Sequence, residues 1–277
     1  MNLTYRDLLK QAQRDFANLQ DAEYVIQALS NKPRYELFMS QQFVDPAIIN
    51  RYHTLLNRYQ PDMPIPYLVN KAYFLDYELY VDPRVMIPRF ETEELVMRTA
   101  RKVKHPKIII DIGTGSGVIA NALAHLFPQA KIIATDISSD ALDVAQRNIA
   151  KYRLGHQITL TCCDVLPKCD DLKSAVDLII SNPPYIPEDE IEKLAPRVKN
   201  YEPLVALNGG KNGMEIISRI IENAVDFLCP DGLLALEIDP RQVKLIKRMK
   251  LSVAFEKDNQ GMFRYAFIRN QPLENSH

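Results

Sequence analysis

The chain contains no apolar run that approaches the ~18 residues of a membrane-spanning helix. Met1 to Asp7 carry no apolar core of the signal-peptide kind, so a cytoplasmic, membrane-free protein is expected. Cysteine is scarce. Cys162, Cys163, Cys169 and Cys229 make no C-x-x-C framework and read as reduced thiols. His53, His105, His125, His156 and His277 are scattered, none at metal-ligand spacing, so no metal is expected. An excess of one charge is missing as well. Thirty-four Lys and Arg against 35 Asp and Glu leave a formal net charge of −1, without the basic field of a nucleic-acid coat. Direct nucleic-acid binding is therefore not expected. There is no internal repeat and no low-complexity tract. What remains is an ordinary soluble composition, 47% apolar and 25% charged, over 277 residues. That length accommodates a catalytic domain of ~180–200 residues and a smaller companion.

The pattern changes along the chain. Up to about residue 60 it is helical: Leu8, Leu9, Ala12, Phe16 and Leu19 recur near helical spacing. Asp21 reads as an N-cap, and Asp45-Pro46 as a second helix start with proline at the first helical position. Ile48, Ile49, Tyr52, Leu55, Leu56 and Tyr59 mark the apolar face that follows. Pro61, Pro64 and Pro66 close this region, and Tyr67 to Asp82, rich in aromatic and β-branched residues, reads as a hairpin. The expected organisation is a helical domain over 1–66, a β-hairpin linker over 67–86 and a larger domain over 87–277. Within the last, strands are predicted at 107–111, 131–136, 157–161, 176–181, 233–238 and 262–269, with helices at 118–127 and 138–152. Strands alternating with helices predict an α/β fold with a mostly parallel, doubly wound sheet.

Two segments carry the chemistry. The first is Asp111-Ile112-Gly113-Thr114-Gly115-Ser116-Gly117, between a strand and a helix. Glycines there let the backbone approach a ligand, and the helix N-terminus supplies N–H donors. A tight turn without a ligand is also compatible with the cluster. A dinucleotide fingerprint has the spacing G-x-G-x-x-G, whereas this is G-x-G-x-G beside an acid, which serves a pyrophosphate poorly. S-adenosylmethionine (SAM) has no phosphate, and an acid favours its cationic end. Asp136, ending the second strand, is placed to accept from both ribose hydroxyls, or else to cap the next helix. Asp164 is placed to accept from an adenine amino group, with Val165 against the ring; an ordinary loop cap is the alternative.

The second segment is Asn182-Pro183-Pro184-Tyr185, after the apolar run Val176 to Ser181. The Asn182 side-chain oxygen and the Pro183 carbonyl are two acceptors able to grip one –NH₂ group. Pro184 stiffens the peptide by fixing φ and restricting Pro183. Tyr185 can pack its ring on the plane of that group. An amide nitrogen is a poor nucleophile, because its lone pair is tied up in the resonance behind the ~18–20 kcal/mol peptide rotation barrier. Orientation by fixed acceptors in a water-poor pocket offsets this. Asn182, Pro183 and Tyr185 are thus the candidate catalytic residues, and the two segments together suggest methyl transfer from SAM to an amide or amino nitrogen.

The chain resembles the release-factor glutamine N5-methyltransferase family over nearly its full length. The matching residues are Ile87 to Glu93, Asp111 to Gly117, Asp136, Asn182 to Ile186, Tyr201-Glu202-Pro203, Ala206-Leu207, Gly209-Gly210 and Gly213. Phe90 stands where a second proline is expected, Asp239-Pro240 where a glycine is expected, and Phe263 where an acid is expected before Arg264. The resemblance implies a Rossmann-like class I SAM-dependent methyltransferase sheet with a small N-terminal helical domain that docks the protein substrate. It implies that Gly113 to Gly117, Asp136, Val165 and Asn182 touch SAM. It further implies that Asn182 to Tyr185 hold the glutamine of a Gly-Gly-Gln motif in peptide chain release factors. A monomer is expected. The alternatives are a ribosomal-protein glutamine methyltransferase, a DNA adenine N6-methyltransferase, which would also need to grip DNA, and a non-catalytic SAM-binding adaptor of translation.

Overall fold

The computed structural model describes residues 3–16, 18–39 and 41–270. They fall into two compact units. The described residues up to Lys71, rejoined by Pro196–Tyr201, form the smaller; Ala72–Ala195 and the described residues from Glu202 form the larger.

The smaller unit is helical. Helix α1 (Tyr5–Asp15) opens on a reciprocal cap: the Asp7 amide donates to Thr4 Oγ1 at 3.3 Å and the Thr4 amide to Asp7 Oδ2 at 3.2 Å. Helix α2 (Leu19–Ser30) is capped by Asn18, not Asp21. Asn18 can both accept from the Asp21 amide and donate to its carboxylate, each at 2.7 Å, so the helix starts earlier than expected. After α3 (Arg34–Met39), helix α4 (Pro46–Leu56) begins as read, on Asp45 with proline in its first turn. Ile65–Val69 is a fifth helix, α5, rather than the start of a hairpin. Pro64 and Pro66 sit at its beginning, where a missing N–H costs nothing. Leu8, Phe16, Ile26, Leu37, Tyr52 and Leu68 form the core of this unit.

The hairpin is short, β1 (Ala72–Phe74) paired with β2 (Tyr77–Leu79), and belongs to the larger unit. There follow α6 (Phe90–Ala100), β3 (Ile108–Ile112), α7 (Val118–Leu126), β4 (Lys131–Asp136), α8 (Ser139–Lys151), β5 (Ile158–Cys162) and β6 (Val176–Ser181). The short helix α9 (Pro196–Lys199) lies in the smaller unit, where Tyr201 donates to the Pro61 carbonyl at 3.2 Å. The chain then forms α10 (Leu204–Leu207), α11 (Glu215–Phe227), β7 (Leu228–Glu237), α12 (Val243–Lys247), β8 (Val253–Lys257) and β9 (Phe263–Arg269).

Seven strands form one sheet in the order β5-β4-β3-β6-β7-β9-β8. The first five are parallel; β9 and β8 pair antiparallel at one edge. Successive side chains face opposite sides. Ile109, Leu178 and Ile180 pack on one face with Leu123 of α7 and Leu95 of α6, while Ile110, Ile179 and Leu234 pack on the other with Ile217 and Ile221 of α11. Both faces are covered, which is why these strands read as continuous apolar runs. Helices α6 and α11, the short helices α9, α10 and α12, and strand β8 escaped the sequence reading. The chain order reverses between β3 and β6, so the carboxyl ends of these two strands flank the crevice in which such sheets bind ligands.

Asn148 of α8, fully buried, ties the hairpin to that edge. Its Oδ1 accepts from the Tyr80 amide at 2.7 Å, and its Nδ2 donates to the Tyr80 and Ser116 carbonyls at 2.9 and 2.8 Å. Asn148→Ala strands these backbone groups and is expected to lower the unfolding free energy by about 2–4 kcal/mol. A urea titration with wild-type stability would remove the tie from the account.

Candidate active site

The glycine segment leaves β3 and turns into α7 with Gly113, Gly115 and Gly117 all left-handed, at φ of 67°, 55° and 80°. A Cβ on Gly113 or Gly115 would enter open space, so their cost to a side chain is conformational and their gain is access for a ligand. Gly117 instead makes room for a helix contact, since a Cβ there would lie 3.3 Å from Ala145 of α8. Asp111 holds the turn from below. It is fully buried, and its Oδ2 accepts from the Thr114 hydroxyl at 2.6 Å and from the Ala120 amide at 3.1 Å. Burial pushes its carboxyl up to about 7.

Asp136 closes the far side of the turn. One oxygen accepts from the Gly115 amide and the other from the Ser138 amide, both at 2.9 Å. Each keeps a lone pair for a further donor, and burial raises its pKa. Val165 is held at φ 68°, strained for a β-branched residue. The buried Thr135 hydroxyl donates to its carbonyl at 2.9 Å and secures that conformation. Asp164 beside it is exposed and paired with Arg219.

A cavity of about 480 Å³ joins these parts. Gly113, Thr114, Gly115, Ser116, Asp136, Asp164, Val165, Asn182 and Pro184 line it. Asp111, Gly117, Pro183 and Tyr185 do not. Asp111 braces the loop, Gly117 packs helices, Pro183 is buried, and the Tyr185 ring packs into the core on the α11 face of the sheet.

Asn182 follows β6. Its Nδ2 donates to Thr92 Oγ1 at 2.9 Å, and no described residue donates to its Oδ1. Thr92 in turn donates to Glu237 at 2.8 Å, and Tyr185 donates to the other oxygen of Glu237 at 3.3 Å. The peptide around Tyr185 is braced by the later glycines. The Gly209 amide donates to the Ile186 carbonyl at 2.9 Å, and a Cβ on Gly213, itself at φ 68°, would meet the Tyr185 oxygen at 2.0 Å. Gln242 completes the brace, donating to the carbonyls of Tyr185 at 3.0 Å and Gly213 at 2.7 Å. The departure Asp239-Pro240 builds the capped turn that presents Gln242: the Asp239 carboxylate accepts from the Arg241 amide and the Gln242 side chain from the Asp239 amide, both at 2.9 Å. Arg89 pairs with the buried Glu202, fastening the segment before α6 to the one that precedes α10.

Thr92, Glu237 and Gln242 were absent from the sequence-derived site. Two signals were available: Thr92 lies inside the matching segment Ile87 to Glu93, and Glu237 is an acid ending the apolar run Leu233 to Leu236, at the sheet edge that also carries Asp136 and Asn182.

Residues 91–197 match the family model described as the methyltransferase small domain. The chain is 42% identical over 204 residues to the release factor glutamine methyltransferase of Thermosynechococcus vestitus, covering 72% of this chain and 70% of that protein. It is 37% identical over 223 residues to the enzyme of the same name from Moorella thermoacetica, covering 80% and 78%. Among solved structures, a methyltransferase from Pyrococcus furiosus superposes with a TM-score of 0.52 at 21% identity, over 70% of this chain and 89% of that one, a likeness of fold. Sequence, sheet order and the glycine turn thus agree: the chain belongs to the release factor glutamine methyltransferase family.

Proposed function

We propose that this chain transfers a methyl group from SAM to the side-chain amide nitrogen (N5) of the glutamine in the Gly-Gly-Gln motif of peptide chain release factors. The observation that carries the reading is the state of Asn182. Its amide is held by the nitrogen, so its oxygen is the unpaired end, in the same cavity as the glycine turn and Asp136. The names of the relatives support the choice of substrate. The formal net charge of −1 supports a protein rather than a nucleic acid as partner.

The cavity fits the cofactor. Gly113 and Gly115 leave open space where side chains would stand, and Asp136 retains acceptor capacity for a diol. The volume lies within the roughly 300–1,000 Å³ range of small-molecule and cofactor sites. In this reading Gly113 to Ser116 and Asp136 hold the ribose and amino-acid portions, while Asp164 and Val165 border the adenine and Gly117 packs α7 on α8 behind the turn. Asp111 acts through the turn it braces. When bound, SAM supplies an electrophilic methyl group on a sulfonium.

The protein's own part is to position the nucleophile. In this reading Asn182 Oδ1, on the cavity wall, and the carbonyl of Pro183, which stands between the lining residues Asn182 and Pro184, accept the two amide hydrogens of the glutamine and fix the nitrogen in one orientation. As positive charge develops on that nitrogen, the same preorganised acceptors stabilise it, which requires no strong base. The methylated nitrogen is acidic and gives up its proton afterwards. Pro184 keeps the acceptors rigid, and Tyr185 supports the clamp from the core side. The smaller helical unit adds protein surface for docking, since one glutamine side chain offers little area for specificity. The enzyme acts as a cytoplasmic monomer in this reading.

Asp136→Ala removes a charged acceptor and is expected to weaken SAM binding by ~1.5–3 kcal/mol, about 10-fold or more. Unchanged affinity by calorimetry would refute the placement of the ribose. Asn182→Ala is expected to retain the fold and most SAM affinity while slowing labelled-methyl transfer to purified release factor by ~10²-fold or more. Wild-type turnover in that variant would reduce Asn182 to Tyr185 to a turn.

A further inference from the structure

The acceptor role of Asn182 demands that its amide face one way round, and an asparagine amide alone has two nearly isosteric orientations. We propose that Thr92 and Glu237 form a hydrogen-bond polarity relay that sets this orientation, making both of them positioning residues for the substrate amide. The inference rests on the function proposed above and adds two side chains to it.

Thr92 and Glu237 are 2% and 1% exposed, so water does not compete for their hydrogen bonds. An ionised carboxylate only accepts. Glu237 Oε2 therefore takes the single hydroxyl proton of Thr92, at 2.8 Å. Having spent that proton, Thr92 Oγ1 can offer Asn182 only lone pairs. The amide must turn its nitrogen toward Thr92, at 2.9 Å, and its oxygen becomes the free end. The second oxygen of Glu237 takes the Tyr185 hydroxyl at 3.3 Å. One carboxylate thus orients both ends of the Asn182–Tyr185 segment, from strand β7 and through helix α6, outside the segment itself.

Protonation of Glu237 removes the constraint. The neutral acid can donate to Thr92, whose own proton is then free for Asn182 Oδ1, and the amide nitrogen can face the cavity. Two N–H₂ groups would then oppose each other. Burial favours that neutral form and pushes the carboxyl up to about 7, with Glu91 acting in the same direction and Arg264 of β9 opposing it. Tyr185 and Tyr265 are the neighbouring phenols, both held neutral by burial. The relay is engaged above the carboxyl's pKa and is lost as pH falls through it.

The test uses the full chain, SAM and intact release factor. Thr92→Val removes the hydroxyl at nearly constant volume and is expected to lower kcat about 10-fold or more with SAM affinity within about 2-fold. Thr92→Ser restores the hydroxyl and is expected to recover most of the loss. Wild-type kcat in Thr92→Val, or no recovery in Thr92→Ser, overturns the relay. A second readout needs neither turnover nor cofactor. In ¹⁵N-asparagine-labelled protein, the Asn182 side-chain resonance, assigned by its loss in Asn182→Ala, is expected to titrate near neutral pH and to stop doing so in Glu237→Gln. An unchanged titration in Glu237→Gln overturns the proposal. Should the wild-type chain leave release factor unmethylated, the functional reading fails, and the Asn182 resonance decides the relay by itself.

Discussion

The site depends first on one buried carboxylate, Asp111, and the two donors it accepts. Oδ2 of Asp111 joins the Thr114 hydroxyl to the Ala120 amide, closing the left-handed glycine turn onto the first turn of α7. That closure aims the Gly115 amide at Asp136, whose other oxygen starts α8 through Ser138. Loss of the first contact would disturb in turn the loop, the second acid and the cavity between them. The arrangement comes at a cost, because the buried charge is poorly solvated.

A second buried acid, Glu237, organises the opposite end. Its two oxygens serve Thr92 and Tyr185, and through Thr92 the nitrogen of Asn182. Burial raises both acids to about 7, from ordinary values of 3.8 for Asp111 and 4.5 for Glu237. A carboxyl whose folded pKa is raised contributes most stability below its ordinary pKa. That contribution is lost as pH climbs through the raised value. Near neutral pH the two acids therefore weaken the fold while their charged forms organise the site. Buried polar groups retained at such a cost are expected where function sets the requirement.

Much of the larger unit was legible because its signals are local. Strands β4 and β6 begin and end where the apolar runs do, and Ser138 caps α8 at the expected place. Helices α6 and α11 were not legible. The N-cap positions of α6 and α11 are Arg89 and Met214, which make no side-chain cap, so neither helix offers the usual capping signal. The hairpin was placed too early because Tyr67 and Val69 carry strand-like composition, whereas Pro64 and Pro66 start a helix there. The return of Pro196–Tyr201 to the smaller unit has no local signature at all, since it is defined by contacts distant in sequence.

By itself the sequence determined the sheet-forming runs, the glycine turn with its neighbouring acids, and the Asn-Pro-Pro-Tyr segment, because each is written in consecutive residues with a local physical preference. The tertiary structure alone decided which acids face the cavity. Asp136 and Asp164 line it, Asp164 paired there with Arg219, whereas Asp111 lies beneath the loop. It alone brought Thr92, Asn182 and Glu237 together, across separations of 90 and 145 residues. Such a network leaves no periodicity to read, because a hydrogen bond depends on a few tenths of an ångström that only the packed sheet and its covering helices define.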